Sequence, residues 1–352
     1  MKSFVLVIAL WSWEFAKAIP HSPFTLISKT QKEVCEPTEI ANMPRVRSQD
    51  SLPICDSFSS ATVLQYQICK INKIDNCAGV SRDLEISPLS TLAWTHTDKG
   101  AGVHETRNHQ NLNFYANAGG ATDALSNSSK SFTFISDACF PIDQLANSFG
   151  DNADDRIRNV VEKIEKEYMR AKTESGYCED CLKGAALEMG ITTSLEDLRS
   201  KVSASKEQDD TPAEFLYRLM LKGCTKGQIS LRPSKTPKFN MFPPSKDSYT
   251  GLINKIKEVL SSKNPLTFDG VCLQYEGKKC VKGHSVVISG YRKVCKQNSD
   301  CKTECREVLK VQNSWGADWQ KQNDDGWVDA KSLLSYVTDN PDLMQNSLAW
   351  YQ

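Results

Sequence analysis

The sequence predicts an α+β protein of two unlike lobes, helical in its first part and rich in strands toward its end. Three observations carry this expectation. Behind Pro53, Phe58, Ala61, Leu64 and Ile68 recur at roughly helical spacing. From Asp151 to Ala171 a charged stretch without Gly or Pro sets Ile157, Val160, Val161, Ile164 and Tyr168 on one stripe, the mark of an amphipathic helix. After Pro265 the pattern shortens to that of strands, as a buried run over Ser285–Tyr291 and an alternating one over Val308–Asn313.

Taken in order, the chain opens with Lys2, an apolar run from Phe4 to Trp13 and then Ala16-Lys17-Ala18. This is the layout of a secretory signal, and the run is too short to span a bilayer. The mature chain is expected to start near Ile19 and to be secreted or periplasmic, with no membrane span. Residues 19 to 45 read as extended and irregular, because Pro20, Pro23, Pro37 and Pro44 break any helix. A helix begins just after Pro53. Residues 72 to 131 read as loop-rich, with a polar stretch around 100 to 113. Residues 150 to 222 read as a helical insertion that includes Ala213–Leu221. A further helix over 250 to 262 puts Leu252, Ile253, Ile256, Val259 and Leu260 on one face. The expected division is a signal peptide over 1–18, a helical lobe over 19–149, the insertion over 150–222 and a β-rich lobe over 223–352.

Charge is balanced, with 43 Lys and Arg against 43 Asp and Glu. That balance gives no basic face for nucleic acid or for a membrane surface. The 13 cysteines fit an oxidising compartment, where most should be paired. Their odd number leaves at least one thiol free, unless it bridges to another molecule. Cys272 with Cys280 is a plausible short-range pair. Cys178-Glu-Asp-Cys181 reads as part of the disulfide framework rather than as a zinc half-site, since no second Cys-x2-Cys accompanies it. His96, His104 and His109 lie in a polar stretch and read as a solvated loop rather than as metal ligands. Asn127-Ser-Ser matches a glycosylation sequon.

Cleaving an amide with a cysteine needs a thiolate, an imidazole beside it, a group that orients the imidazole and donors for the oxyanion. Cys55 is the best nucleophile candidate, because a helix N-terminus carries partial positive charge and favours a thiolate. His284 stands at the mouth of the Ser285 strand. Asn313 stands at the end of the next one, where neighbouring strands can present both together.

These residues resemble the papain-like cysteine peptidases. Gln49-Asp-Ser-Leu-Pro-Ile-Cys55-Asp-Ser-Phe58-Ser is similar to the family's nucleophile segment, with Gln six residues before Cys. Gly283-His284-Ser-Val-Val-Ile-Ser-Gly290-Tyr291 resembles its histidine strand. Asn313-Ser-Trp315-Gly-Ala-Asp-Trp319, followed by Gly326-Trp327, resembles its asparagine segment. The order Cys, His, Asn is also the family's. Weaker likenesses are Glu85-Ile-Ser-Pro88-Leu-Ser and Asn117-Ala-Gly119-Gly120-Ala-Thr-Asp-Ala-Leu125.

The resemblance implies a papain-like two-lobed fold, with a helical N-terminal lobe, an antiparallel β C-terminal lobe and a helical insertion. It implies an exported cysteine peptidase acting on polypeptides through a thioester, with no cofactor and no metal. Cys55 would be the nucleophile, His284 the base and Asn313 its orienting group. Gln49 would supply an oxyanion donor. Trp315 would shield the His284–Asn313 hydrogen bond, and Gly119 and Gly120 would let a substrate backbone approach.

The sequence also departs from the family. Leu52 replaces its first, disulfide-forming Cys, and Asp56 replaces the aromatic residue after the nucleophile. An acid suits a helix N-terminus but opposes a thiolate next to it. The interval from Cys55 to His284 exceeds the roughly 130–150 residues usual for the family. Two alternatives follow: a papain-like peptide-binding protein with little or no activity, and an acyl transferase using the same triad.

Overall fold

A computed structural model describes residues 31–92 apart from 51 and 53, 120–128, 133–143, 153–174, 176–210, 212–224, 227–230, 237–242, 249–296 apart from 278, 301–302, 305–340 and 347–352. The signal segment, Gly119, His96, His104 and His109 lie outside these residues. In chain order the elements are β1 (Gln31–Glu39), α1 (Cys55–Asn72), α2 (Pro88–Leu92), α3 (Ala121–Ser128) and β2 (Thr133–Ile135). A helical run follows: α4 (Ala153–Thr173), α5 (Glu179–Glu188), α6 (Leu195–Glu207) and α7 (Pro212–Gly223). Then come β3 (Gln228–Ser230), β4 (Phe239–Met241), α8 (Tyr249–Ser261), β5 (Leu266–Glu276), β6 (Lys279–Lys296) and β7 (Cys305–Gln312). The chain closes with α9 (Gly316–Gln322), β8 (Trp327–Asp329), α10 (Ala330–Asp339) and β9 (Leu348–Tyr351).

The protein is α+β, and every strand pair described is antiparallel. The main sheet has seven strands in the order β4-β9-β5-β6-β7-β8, with β1 added beside β6. β2 and β3 form a small separate sheet. The long strand β6 organises the main sheet: β5 gives way to β1 along one edge, while β7 runs along the other.

Alternation along β6 decides which side each helix covers. Val286 and Ile288 join Leu252, Ile256 and Leu260 of α8 and Leu333, Leu334 and Val337 of α10 in one apolar cluster. Val287, between them, joins Ala61, Leu64 and Ile68 of α1 in another. The sheet is therefore packed against α1 on one face and against α8 and α10 on the other. A further cluster unites α4 to α7 with Leu52, Ile54 and Phe58 around the start of α1. The stripe read from the sequence, Ile157, Val160, Val161, Ile164 and Tyr168, is fully buried in it.

Helix α1 is buried on all sides, so its polar residues must find partners inside. Ser60 Oγ and Thr62 Oγ1 donate to the carbonyls of Asp56 and Phe58. Gln65 donates to Leu84 O at 3.1 Å and accepts from Ile86 N at 2.7 Å, clamping the segment before α2. The helix ends at Lys73 in the left-handed conformation, where the Cys69–Cys77 disulfide holds the exit.

Two readings of the sequence need correction. Residues 31 to 39 are not irregular but form β1. Its register shifts between Cys35 and Thr38, and that bulge accommodates Pro37, which has no N–H to offer the ladder. Within the stretch read as loop-rich, Ala121–Ser128 is helical. Its apolar face is only Ala121, Ala124 and Leu125, too short a pattern to register as periodic.

Twelve cysteines pair as Cys35–Cys301, Cys69–Cys77, Cys139–Cys224, Cys178–Cys181, Cys272–Cys280 and Cys295–Cys305. Cys55 alone is free. Among the described residues no helix is long and apolar enough to cross a membrane.

Candidate active site

Cys55 is the first residue of α1, and the N-cap before it, Ile54, offers no side-chain acceptor. The first-turn N–H groups are thus left to other partners. The backbone N–H groups of Ser285, the residue after His284, and of Asp56 lie on the side of the Cys55 sulfur and favour its charged form. Burial, together with the carboxylates of Asp56 and Asp269, outweighs these donors and pushes the thiol up to about 12.

His284 is buried in β6, opposite Val271 of β5. Its Nε2 lies 2.8 Å from Asn313 Oδ1, which also accepts the Ser314 N–H at 2.8 Å. An atom that takes a backbone N–H is the amide oxygen, so Nε2 carries the hydrogen and Nδ1 is left as the basic nitrogen. β6 begins at Lys279, so His284 lies inside the strand rather than at its mouth, and because β6 and β7 pair with Val287 opposite Gln312, Asn313, leaving β7, reaches it. Trp315 stacks on the imidazole at 4.8 Å between ring centres, and Trp319 meets Trp315 edge-on at 5.9 Å. Burial pushes the imidazole down to about 4, against the opposing pull of the Asn313 bond.

Gln49 is buried just before α1. Its amide donates to Leu52 O at 2.6 Å and accepts from Ser314 Oγ, and its backbone N–H donates to Ser314 O at 2.8 Å. These bonds tie the segment that carries the thiol to the segment that carries the asparagine. One N–H of the Gln49 amide remains beyond the Leu52 bond.

Gly120 immediately precedes α3, and the close approach it permits is to Asp269: a Cβ there would collide with the carboxylate. Asp269 in turn accepts the Thr122 N–H at 2.9 Å and the Ser285 hydroxyl.

His284, Asn313 and Trp315 are thus in contact, Gln49 is tied to this group through Ser314, Cys55 lies beside Ser285, and Gly120 lies against Asp269. Sequence reading missed three residues. Ser314 holds Gln49. Gln320 donates to Val311 O at 2.7 Å and to Asp325 O at 3.0 Å, bracing the turn that Asn313 enters. Asp269 sits in β5 beside the nucleophile. For Asp269 a signal exists, a carboxylate inside the apolar run 266–273. Ser314 lies within the Asn313-Ser-Trp315 segment that the sequence singles out, though without a role of its own, and Gln320, in α9, follows no pattern.

Among the described residues, Cys35, Cys295 and Cys301 form the one close group of metal-ligating atoms. Cys35 and Cys301 are bonded to each other and Cys295 to Cys305, so their sulfurs are not free to bind an ion.

No protein-family model matches this chain. No curated protein matches it either. Among solved structures, a crystal structure of SERA5E from Plasmodium falciparum aligns with 82% of this chain and 83% of its own, at 13% identity and a TM-score of 0.36. A likeness of that size carries no argument about fold or activity, and the functional reading rests on the geometry of the site.

Proposed function

We propose that this protein is a cysteine peptidase of the papain-like, two-lobed type, acting outside the cytosol on polypeptides. One observation carries the reading. The single free cysteine lies against the backbone of Ser285, and His284, the residue before Ser285, is held by Asn313 at 2.8 Å beneath Trp315. His284 Nδ1 removes the Cys55 proton as sulfur attacks the scissile carbonyl, and the same proton then passes to the leaving amine. Water, deprotonated by His284, hydrolyses the thioester. The free N–H of Gln49 and the backbone N–H of Cys55 face the developing oxyanion, a contribution of about 3 kcal/mol per donor.

A second reading has its own support. Burial favours the uncharged forms of both Cys55 and His284, which suits a protein that binds peptides without cutting them. Incubation with a peptide p-nitrophenyl ester, followed by mass analysis, separates the two. The peptidase reading expects acylation on Cys55, lost in His284→Ala, and cleavage of unmodified peptides. Peptides bound but recovered intact, with no adduct on Cys55, would overturn it in favour of the binding protein.

A further inference from the structure

Arg47 is a buried cation that the mechanism leaves unused. It is only 9% exposed and lies just before Gln49 in the chain. Its backbone belongs to the brace of the site: Ser48 bridges Trp315, and the carbonyl of Arg47 accepts the Gly316 N–H at 3.2 Å. Its guanidinium lies 5.5 Å over the ring of Phe58, donates through Nη1 to Ile86 O at 2.7 Å and stands 3.7 Å from Glu85. Glu85 has a closer partner in Arg45, which grips both of its oxygens at 2.6 to 3.0 Å. Burial works against a charge at Arg47, and Glu85 and Asp137 support it.

Arg47 Nη2 is buried with no hydrogen-bond partner among the described residues. The same holds for Asn313 Nδ2, the other half of the amide whose oxygen meets His284 and the Ser314 N–H. The two residues are far apart in the chain, yet both line one cavity of about 10 Å³, room for a single water molecule.

Two donors cannot satisfy each other, and what both need is an oxygen between them. The same cavity is lined by Thr62 and Ser314. Thr62 Oγ1 gives its hydrogen to Phe58 O, and Ser314 Oγ gives its own to Gln49. Each hydroxyl oxygen keeps a lone pair. A water that accepts from Arg47 and Asn313 can therefore donate to these hydroxyls, completing the set of about four hydrogen bonds open to a buried water.

Building on the peptidase reading, we propose that a water molecule held in this cavity joins Arg47 Nη2 to Asn313 Nδ2, and that Arg47 is thereby a positioning residue for the asparagine that holds His284. Asn313 fixes the imidazole only as firmly as its own amide is fixed. The Ser314 N–H restrains that amide on its oxygen side, and the water restrains it on its nitrogen side. Without the water the amide rocks, and the imidazole it orients follows.

The test needs no cleaved peptide, because the rate at which iodoacetamide alkylates native Cys55 reads how well His284 serves as its base. Arg47→Met keeps the packing on Phe58 and removes every donor, while Glu85 keeps Arg45. It should slow alkylation at neutral pH on the order of fivefold, the worth of about one hydrogen bond, and lower kcat on a cleaved peptide by the same factor with KM unchanged. Because Arg47 acts through Asn313, adding Arg47→Met to Asn313→Ala should slow alkylation no further. Alkylation at the parent rate in Arg47→Met, or losses that multiply in the double variant, would overturn the proposal. A high-resolution crystal structure of the unaltered protein checks the water whether or not the variants fold. An oxygen within hydrogen-bond distance of both Nη2 and Nδ2 is expected, and a dry cavity or a water on one donor alone would overturn the bridge. Slowed, non-additive alkylation in a protein that cleaves no peptide would support the role of Arg47 and overturn the peptidase reading.

Discussion

Two backbone N–H groups near the Cys55 sulfur favour its thiolate, yet burial and two neighbouring carboxylates hold it in the thiol form. His284 faces the mirror-image situation, with its imidazole kept neutral by burial while Asn313 fixes the tautomer. The orienting bond therefore matters most when the imidazole becomes charged in the transition state. Asn313→Ala should lower kcat by about 10- to 100-fold and leave KM nearly unchanged, the loss of one charge-assisted hydrogen bond. Steady-state kinetics on any cleaved peptide checks this, and an unchanged kcat would remove Asn313 from the mechanism. Asp56 gives a second prediction, in stability. The folded protein keeps a proton on Asp56 up to about pH 7, whereas the unfolded chain releases it from about pH 4. Between those values the native state binds more protons, so the contribution of Asp56 to stability falls as pH rises and the deficit is complete above pH 7. Asp56→Asn removes this deficit. The variant should exceed the parent at pH 8 by on the order of 4 kcal/mol and match it near pH 3.5, as measured by urea unfolding. His284, whose folded value lies below its usual one, acts in the opposite sense over about pH 4 to 6.5 and is common to both proteins.

At the level of elements, the nucleophile and asparagine arms of the site are each the end of an element braced from outside itself. The start of α1 is held by Gln49 and Ser314, and the exit of β7 by Gln320 and Gly326. Gly326 has a φ of 85°, and a side chain there would strike Val311 O and Gln320, so only glycine fits. The helical run α4 to α7 is closed at its base by the Cys139–Cys224 disulfide, with Cys224 inside the same apolar cluster as Phe58. Replacing both cysteines by serine should cost about 2–4 kcal/mol. The denaturant midpoint should fall accordingly, and an unchanged midpoint would show that packing alone holds the run in place.

Over the whole molecule, the sheet and the helical run meet at α1, whose first turn contributes to one core and whose middle contributes to another. The nucleophile thus sits where two bodies of apolar packing join, a placement that buries it without sealing it. The six disulfides secure this arrangement and leave one thiol. Alkylation of the native, unreduced protein should therefore add a single label, on Cys55, and reduction in denaturant should raise the number to the full 13 cysteines. Two or more labels in the native protein would contradict the pairing.

The sequence by itself determined α1, α4, α8 and the strand character of β6 and β7, because an element with one buried face carries that face as a period in its residues. It also singled out Cys55, His284 and Asn313 as candidates, since the chemistry requires those residue types in that order, although His284 lies inside β6 rather than at its start. The odd cysteine count foretold a free thiol, though not which one. Only the tertiary structure decided the cysteine partners, apart from the nearby Cys272 and Cys280, because pairing depends on which distant segments fold together. Burial of α3 by Tyr351, from the far end of the chain, likewise leaves no local period at Ala121–Ser128. The acidic neighbourhood of the nucleophile was half legible. Asp56 adjoins Cys55 in the chain, but Asp123 and Asp269 reach it only through the packing of α3 and β5 around the start of α1, and electrostatic coupling follows distance in space rather than position in sequence.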